Sequence, residues 1–220
     1  RDYKVTGVQT CALPIYPEEQ IKFDIDKVKL TTLDIEVASE NGFPDVESAA
    51  EEILLITLQD YSSKEIITWG KGPFKLKQGN HYYKQFNNEY DLLYDFIHWW
   101  MDNTPEVITG WNSKLYDIPY IVRRLDRILG EKLMKRISPW GLVTELETFI
   151  AGRKNISYDI GGVSQLDYLD LYKKFTYTNQ ESYRLDHIAN VELGQKKLDH
   201  SEFRSEEHTS ELQSPCNLVC

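Results

Sequence analysis

Two neighbouring stretches, VKLTTLDIEV at residues 28–37 and ILLITLQD at residues 53–60, carry the pattern that decides the fold. The first is rich in β-branched residues and predicts a strand. The second is a continuous apolar run, which is typical of a strand buried on both faces. A turn at residues 61–64 and the returning segment EIITW at residues 65–69 predict a hairpin. The fold therefore opens on an antiparallel sheet.

Helical and extended segments alternate after this hairpin. Residues 87–102 repeat apolar side chains at a helical period, and residues 106–111 (EVITGW) predict a strand. Residues 117–129 predict a second helix, with Asp117 near its N-cap and Gly130 just past its end. This alternation predicts an α/β domain in which helices pack on the faces of a mixed sheet.

The last third of the chain predicts three shorter elements. Residues 155–163 predict a hairpin that turns at Tyr158-Asp159 or at Gly161-Gly162. Residues 165–169 predict a short strand that runs into residues 170–175. Residues 182–191 predict a final helix closed by Gly194.

The composition excludes several classes of protein. The 220 residues carry a net charge of −10 and are 41% hydrophobic. Such an acidic chain does not coat nucleic acid with a general basic surface, but it can hold divalent cations on carboxylates. There is no apolar run long enough to span a membrane and no secretory signal pattern, so we expect a cytoplasmic protein.

The two ends of the chain are related to each other at the DNA level. The peptide RSEEHTSELQS at residues 204–214 and the peptide TGVQTCALPI at residues 6–15 can be encoded by opposite strands of one DNA segment. That segment resembles a sequencing adapter. We therefore expect residues 1–15 and 204–220 to be adapter-derived and residues 16–203 to be the natural domain, incomplete at its C-terminal end. All three cysteines lie in the ends, so disulfide and zinc-ribbon frameworks are excluded.

The first candidate site lies in the first strand. Residues two apart in a strand face the same side, so Asp34 and Glu36 point together while Leu33, Ile35 and Val37 point to the other face. Two adjacent carboxylates repel unless a cation neutralises them, and hard oxygen ligands suit Mg²⁺ or Mn²⁺. The alternative is a solvated acidic sheet face.

The second candidate site lies where the strand at residues 106–111 gives way to the next helix. Asn112, Tyr116 and Asp117 occupy this junction in GWNSKLYDIPY (residues 110–120), and sites in open α/β sheets gather at such strand ends. The alternatives are a turn residue for Asn112 and a plain helix cap for Asp117.

Together the two segments are more specific than either alone. Asp-Ile-Glu on a first strand, followed by Asn-x3-Tyr-Asp at a helix start, resembles the first two exonuclease motifs of the family B DNA polymerases. The similarity continues through DIPYI at residues 117–121 and LDLYKKF at residues 169–175. It covers nearly all of residues 16–203 and is greatest with the replicative polymerases of T-even-like tailed phages.

The resemblance implies an RNase H-like fold and a proofreading exonuclease that works from the 3′ to the 5′ end. It implies that Asp34, Glu36 and Asp117 are catalytic and bind two metal ions, Mg²⁺ or Mn²⁺. The implied partners are a single-stranded DNA 3′ end, primer-template DNA, and a polymerase domain of the same protein. A sliding clamp is an implied partner of the full-length protein.

The third motif of the family, Tyr-x3-Asp, does not occur after Asp117 in this sequence. Tyr183 and Asp186 have the wrong spacing and fall in a predicted surface helix. We therefore expect this chain, as it stands, to be inactive or nearly so.

Residues that contact DNA are also suggested by the resemblance. Phe43 is a candidate to stack on terminal bases, and Asn112 is a candidate to hydrogen-bond the primer end. Tyr116 belongs to the second motif. Arg153 and Lys154 begin the region where the family carries an inserted, strand-separating β-hairpin. Two alternatives from other classes remain, a stand-alone nuclease of the same fold and a non-catalytic module that binds single-stranded DNA.

Overall fold

A computed structural model describes residues 24–39, 44–74, 79–150 and 152–195, and the description below refers to these residues. Phe43 and the two predicted adapter ends lie outside them.

The centre of the structure is a six-stranded sheet that consists of β1 Leu30–Val37, β2 Ile53–Asp60, β3 Ile66–Lys71, β4 His81–Phe86, β5 Val107–Gly110 and β8 Ser164–Asp167. The strands lie in the order β4-β3-β2-β1-β5-β8. Strands β1, β2 and β3 pair antiparallel, whereas β5 pairs parallel with both β1 and β8, and β4 pairs parallel with β3. β1 thus pairs antiparallel with β2 on one side and parallel with β5 on the other.

Five α-helices accompany the strands in the described part of the chain. Asn88 caps the first helix, because its side chain accepts the Asp91 backbone N–H at 2.9 Å. The second helix runs over the predicted residues and ends before Gly130, and the last helix ends before Gly194, which has φ +67°. The helix bounds are α1 Glu89–Asn103, α2 Asp117–Leu129, α3 Glu131–Met134, α4 Tyr168–Phe175 and α5 Leu185–Leu193.

The core lies between the sheet and the helices α1 and α2. Burial alternates along β1, while β2 buries most of its length, as its uninterrupted apolar run predicts. Trp100 is buried, and its indole N–H donates to the Ile137 carbonyl at 2.8 Å, whereas the neighbouring Trp99 is only partly buried against Trp69. The predicted α/β class, a mixed sheet flanked by helices and compatible with an RNase H-like domain, is confirmed.

The predicted hairpin exists, but its placement from the sequence was wrong. It is formed by β6 (Val143–Ile150) and β7 (Arg153–Ile160), which pair antiparallel up to Ile150 and Arg153. Tyr158 is buried within β7, and its hydroxyl donates to Glu145 Oε2 at 2.7 Å. Gly161 and Gly162 instead form the turn that leads towards β8, where Gly162 has φ +88°.

Among the described residues, none of the helices has the length and apolar character needed to cross a membrane.

Candidate functional site

Asp34 and Glu36 share one face of β1, as predicted. Both are partly exposed, whereas Leu33, Ile35 and Val37 are buried on the opposite face. Within the sheet, Asp34 lies opposite Thr57 and Glu36 lies opposite Leu55 of β2. The two carboxylates therefore project side by side from a strand near the middle of the sheet.

Asp117 comes to the same place from 82 positions further along the chain. Its Oδ1 accepts the backbone N–H of Ile35 at 3.1 Å, and the residue is 4% exposed. Because Ile35 stands between Asp34 and Glu36, this bond sets the third carboxylate against the strand that carries the first two.

The interpretation of Asp117 as a helix cap is wrong. α2 begins at Asp117 itself, and Tyr116 occupies the cap position without a capping side-chain bond. The Asp117 carboxylate bonds across to β1, a partner that helix-end statistics do not predict.

The close approach of β5 to β1 makes this meeting possible. The two strands pair in parallel from Leu30–Val107 to Thr32–Thr109, and β5 ends at Gly110. A Cβ at Gly110 would lie 2.6 Å from the Leu33 carbonyl oxygen. Only glycine fits there, so the chain leaves β5 directly beside the strand of Asp34 and Glu36.

The electrostatics of the cluster follow from its burial. Burial is the largest cause that raises the pKa of Asp117 well above its usual range, and the charge of Asp34 raises this pKa further. The bond from the Ile35 N–H lowers it, but less. Burial also raises the pKa of the Tyr116 phenol, and the charges of Asp117, Glu36 and Asp34 add to this rise. These carboxylates therefore act on one another within one small region.

The donor chemistry of this region fits a hard divalent cation. Carboxylate oxygens are the ligands that Mg²⁺ and Mn²⁺ prefer, and a cation would relieve the repulsion that Asp34 exerts on buried Asp117. In the part of the chain that the structure describes, no three His, Cys, Asp or Glu side chains converge closely enough to hold one ion.

The segment between β5 and α2 carries two further predicted residues. Asn112 and Tyr116 are both partly buried, and Asn112 has φ +62°, a left-handed conformation that asparagine tolerates better than most residues. The Tyr116 ring lies 5.8 Å from the Tyr120 ring. Both residues thus belong to the segment that ends at Asp117.

The remaining predicted contact residues lie elsewhere. Lys154 is exposed on β7, where its ammonium lies 2.7 Å from Glu147 and 3.6 Å from Glu47. Arg153 is the first residue of the same strand, and Phe43 lies outside the described residues. The half-buried Trp111 donates its indole N–H to the Tyr183 carbonyl at 3.1 Å.

Sequence reasoning missed one residue of this region, Asp167. It is 6% exposed at the end of β8, and its charge is among the causes that raise the pKa of Asp117. An aspartate at a junction between strand and helix is a sequence signal that could have identified Asp167. The same signal applies to Asp170, which is exposed, so the sequence alone does not distinguish the two residues.

The chain is similar to known proteins over most of its length. Residues 8–188 match the family described as "DNA polymerase family B, exonuclease domain". The chain is 36% identical over 206 residues to the DNA-directed DNA polymerase of Escherichia phage RB69, an alignment that covers 81% of this chain and 23% of that protein.

Two further relatives carry the word polymerase in their names. The DNA-directed DNA polymerase of Enterobacteria phage T4 is 48% identical over 117 residues, which cover 53% of this chain and 13% of that protein. The DNA polymerase catalytic subunit of human herpesvirus 7 is 27% identical over 178 residues, covering 76% and 17%. The chain therefore spans less than a quarter of the length of each of these relatives.

Proposed function

Since the chain belongs to the exonuclease domain family of the family B DNA polymerases, we propose that it is the 3′→5′ proofreading exonuclease part of a replicative DNA polymerase. The reaction is hydrolysis of the last phosphodiester bond at a DNA 3′ end, with release of a nucleoside monophosphate. One observation carries the proposal, namely the hydrogen bond from the Ile35 N–H to Asp117, which brings Asp117 to the strand that carries Asp34 and Glu36.

The three carboxylates have the chemistry to hold two divalent cations, Mg²⁺ or Mn²⁺. When bound, such ions lower the pKa of a water and neutralise charge on the leaving 3′-oxygen. Asp34 and Glu36 supply partly exposed oxygens, which a DNA end can approach. Asp117 accepts the Ile35 backbone N–H through Oδ1, and this bond orients its carboxylate relative to β1.

DNA contacts form the next part of the proposal. Asn112 and Tyr116 border the carboxylates along the chain and are proposed to contact the primer end. Phe43 is proposed to stack on a terminal base, and Arg153 and Lys154 are proposed to meet the phosphate backbone from the hairpin. Partial burial of Asn112 and Tyr116 next to Asp117 supports the first pair.

The proposed extent of the natural domain is residues 16–203, and the family match from 8 to 188 fixes neither boundary. In the full-length protein, a polymerase domain follows, and a sliding clamp is a proposed partner. The proposed place of action is the host cell cytoplasm, because the relatives are phage and viral polymerases.

We further propose that this 220-residue chain hydrolyses DNA at a trace rate only. Its sequence after Asp117 contains no Tyr-x3-Asp, the motif that completes the metal site in the family. Vigorous Mg²⁺-dependent shortening of 5′-labelled single-stranded DNA by this chain would contradict this part of the proposal.

Calorimetric titration of the EDTA-treated chain with Mn²⁺ tests the proposal directly. We expect wild-type protein to bind Mn²⁺, and Asp34→Asn and Asp117→Asn each to weaken binding at least tenfold. Asp102→Asn, which changes an exposed aspartate near the end of α1, is the matched control and should bind like the wild type. Binding that is equally strong in all four proteins would overturn the proposal.

A second candidate is a DNA-binding module that kept the fold and lost the chemistry. The lack of three converging ligands among the described residues favours it. This candidate predicts binding of a single-stranded 3′ end with no response to Mn²⁺, so the same titration separates the two functions.

A further inference from the structure

Asp167 lies near enough to Asp117 for its charge to raise the Asp117 pKa, and it belongs to neither sequence motif. β8 pairs in parallel with β5, and the register sets Asp167 opposite Gly110 at the carboxyl ends of the two strands. The side chain is almost fully buried. A buried carboxylate costs free energy unless it is hydrogen-bonded, so the partners of Asp167 show what it does.

Three backbone N–H groups donate to the Asp167 carboxylate. Oδ1 accepts from Leu169 at 2.9 Å, which caps α4, and from Asn112 at 3.1 Å. Oδ2 accepts from Lys114 at 2.9 Å. Two of the three donors therefore lie on the segment between β5 and α2, more than 50 positions earlier in the chain.

A helix cap alone does not need this residue. Serine, threonine or asparagine can accept the single Leu169 N–H that capping requires. Holding Asn112 and Lys114 at the same time requires two acceptor oxygens on one short side chain, which only aspartate offers. The need for a carboxylate at position 167 is therefore better explained by its bonds to Asn112 and Lys114 than by the cap of α4.

The loop that Asp167 holds ends at Asp117. Asn112 stands in the left-handed region, and its carbonyl accepts the N–H groups of Leu115 and Tyr116, each at 3.1 Å. The Ser113 carbonyl accepts the Ile118 N–H at 2.9 Å. These bonds form one continuous turn, so a shift at Asn112 or Lys114 is passed to the first residue of α2.

We propose that Asp167 is a positioning residue, which holds the turn over residues 112–116 so that the Asp117 carboxylate meets the Ile35 N–H. Its relevance to catalysis rests on the proposed function, but the positioning itself does not. Considered by its charge alone, Asp167 should destabilise the site, because a negative Asp167 repels the Asp117 carboxylate. Removing the charge should therefore weaken Mn²⁺ binding if Asp167 positions the loop. It should strengthen Mn²⁺ binding if the only effect of Asp167 is to repel Asp117.

The experiment compares Asp167→Asn and Asp167→Ser with the wild-type chain. Asparagine keeps the shape but offers one acceptor oxygen, and serine keeps the cap of α4 while losing the reach to the loop. Asp170→Asn, which removes an exposed charge three residues away in α4, is the control. Amide hydrogen exchange by NMR is measured at Asn112, Lys114 and Ile35, with Leu58 of β2 as the reference, and Mn²⁺ affinity is measured by calorimetry.

We expect both Asp167 variants to exchange the amide protons of Lys114 and Ile35 at least tenfold faster, with Leu58 unchanged. We expect Mn²⁺ binding to weaken about tenfold, as for other residues that orient metal ligands. Asp170→Asn should leave every reading unchanged. If Asp167→Asn fails to fold, Asp167→Ser decides.

Two results would overturn the inference, namely an Ile35 amide that exchanges as in the wild type, or tighter Mn²⁺ binding in the variants. A wild-type chain that binds no Mn²⁺ would instead contradict the proposed function. In that case the Ile35 amide still decides whether Asp167 positions Asp117.

Discussion

The backbone N–H of Ile35 donates to the carboxylate of Asp117 at 3.1 Å, and this bond joins the first residue of α2 to the strand between Asp34 and Glu36. The bond brings the two sequence motifs into contact. It also leaves a nearly fully buried carboxyl group beside Asp34, and this burial, together with the charge of Asp34, raises the pKa of Asp117.

Replacing Asp117 with asparagine should stabilise the metal-free protein at neutral pH. The native pKa of Asp117 lies above its ordinary value of 3.8, mainly because of burial. Below that ordinary value the residue is protonated in both states. As the pH rises from there to the raised pKa, the unfolded chain gives up its proton first, so the native state loses stability. Asparagine stays neutral and can still accept the Ile35 N–H.

We therefore expect the Tm of Asp117→Asn to exceed that of the wild type by a few degrees at about pH 7 in EDTA, and the gap to shrink towards about pH 4. Circular dichroism melts across this range measure it. Asp102→Asn controls for the loss of an exposed charge. A gap that is constant with pH, or a variant that melts lower throughout, would contradict the electrostatic cause.

Strong local patterns made much of the fold predictable. The continuous apolar run fixed β2 at residues 53–60, and the amphipathic period with Gly130 beyond it fixed α2 at residues 117–129. In both cases the spacing of apolar residues within the segment shows which face is buried. The position of Asp34 and Glu36 on the same face of β1 was predictable in the same way, because side chains alternate between the two faces of a strand.

The elements that were missed depend on distant partners. Most of β6 is exposed, so it shows no buried face, and its strand forms through pairing with β7. β4 lies at the sheet edge and depends on β3. The bond between Ile35 and Asp117 joins a backbone group to a side chain 82 positions away, and neither composition nor spacing carries that information.

A buried ion pair between Glu89 of α1 and Arg124 of α2 should be costly to break. Arg124 binds Glu89 through two of its nitrogens, one at 2.8 Å, and donates to the Ala49 carbonyl at 3.1 Å. Both side chains are buried. Arg124→Met leaves Glu89 buried without its cation, so we expect unfolding free energy to fall by about 3–5 kcal/mol in urea titrations.

The double variant Glu89→Gln with Arg124→Met is the informative comparison. Its glutamine is neutral and can still accept the Ile53 N–H, which Glu89 accepts at 2.9 Å. We expect a smaller loss of stability than in the single variant, because no buried charge is left alone. A double variant that is less stable than Arg124→Met would show that packing, not charge, dominates.

Gly110→Ala should push β5 away from β1. The added Cβ would lie 2.6 Å from the Leu33 carbonyl oxygen and 2.8 Å from the Ser113 Cβ, and the first of these is backbone that cannot swing aside. We expect a loss of roughly 1–3 kcal/mol in unfolding free energy, together with weaker Mn²⁺ binding. Gly79→Ala, where nothing lies within 4 Å of the new Cβ, is the matched control and should be nearly neutral. A neutral Gly110→Ala would mean that the strands separate easily.

Lys154 on the hairpin offers a test of DNA contact by salt dependence. Its ammonium is exposed and lies near Glu147 and Glu47, so it can exchange these partners for a phosphate. If Lys154 contacts single-stranded DNA, Lys154→Ala should reduce the slope of log binding constant against log salt by about 0.7. Fluorescence anisotropy with a labelled oligonucleotide in EDTA measures this slope without cleavage. Lys135→Ala, which removes a partly exposed lysine paired with Glu131, is the control for net charge. Equal slopes in the wild type and Lys154→Ala would assign Lys154 to its two glutamates and not to DNA.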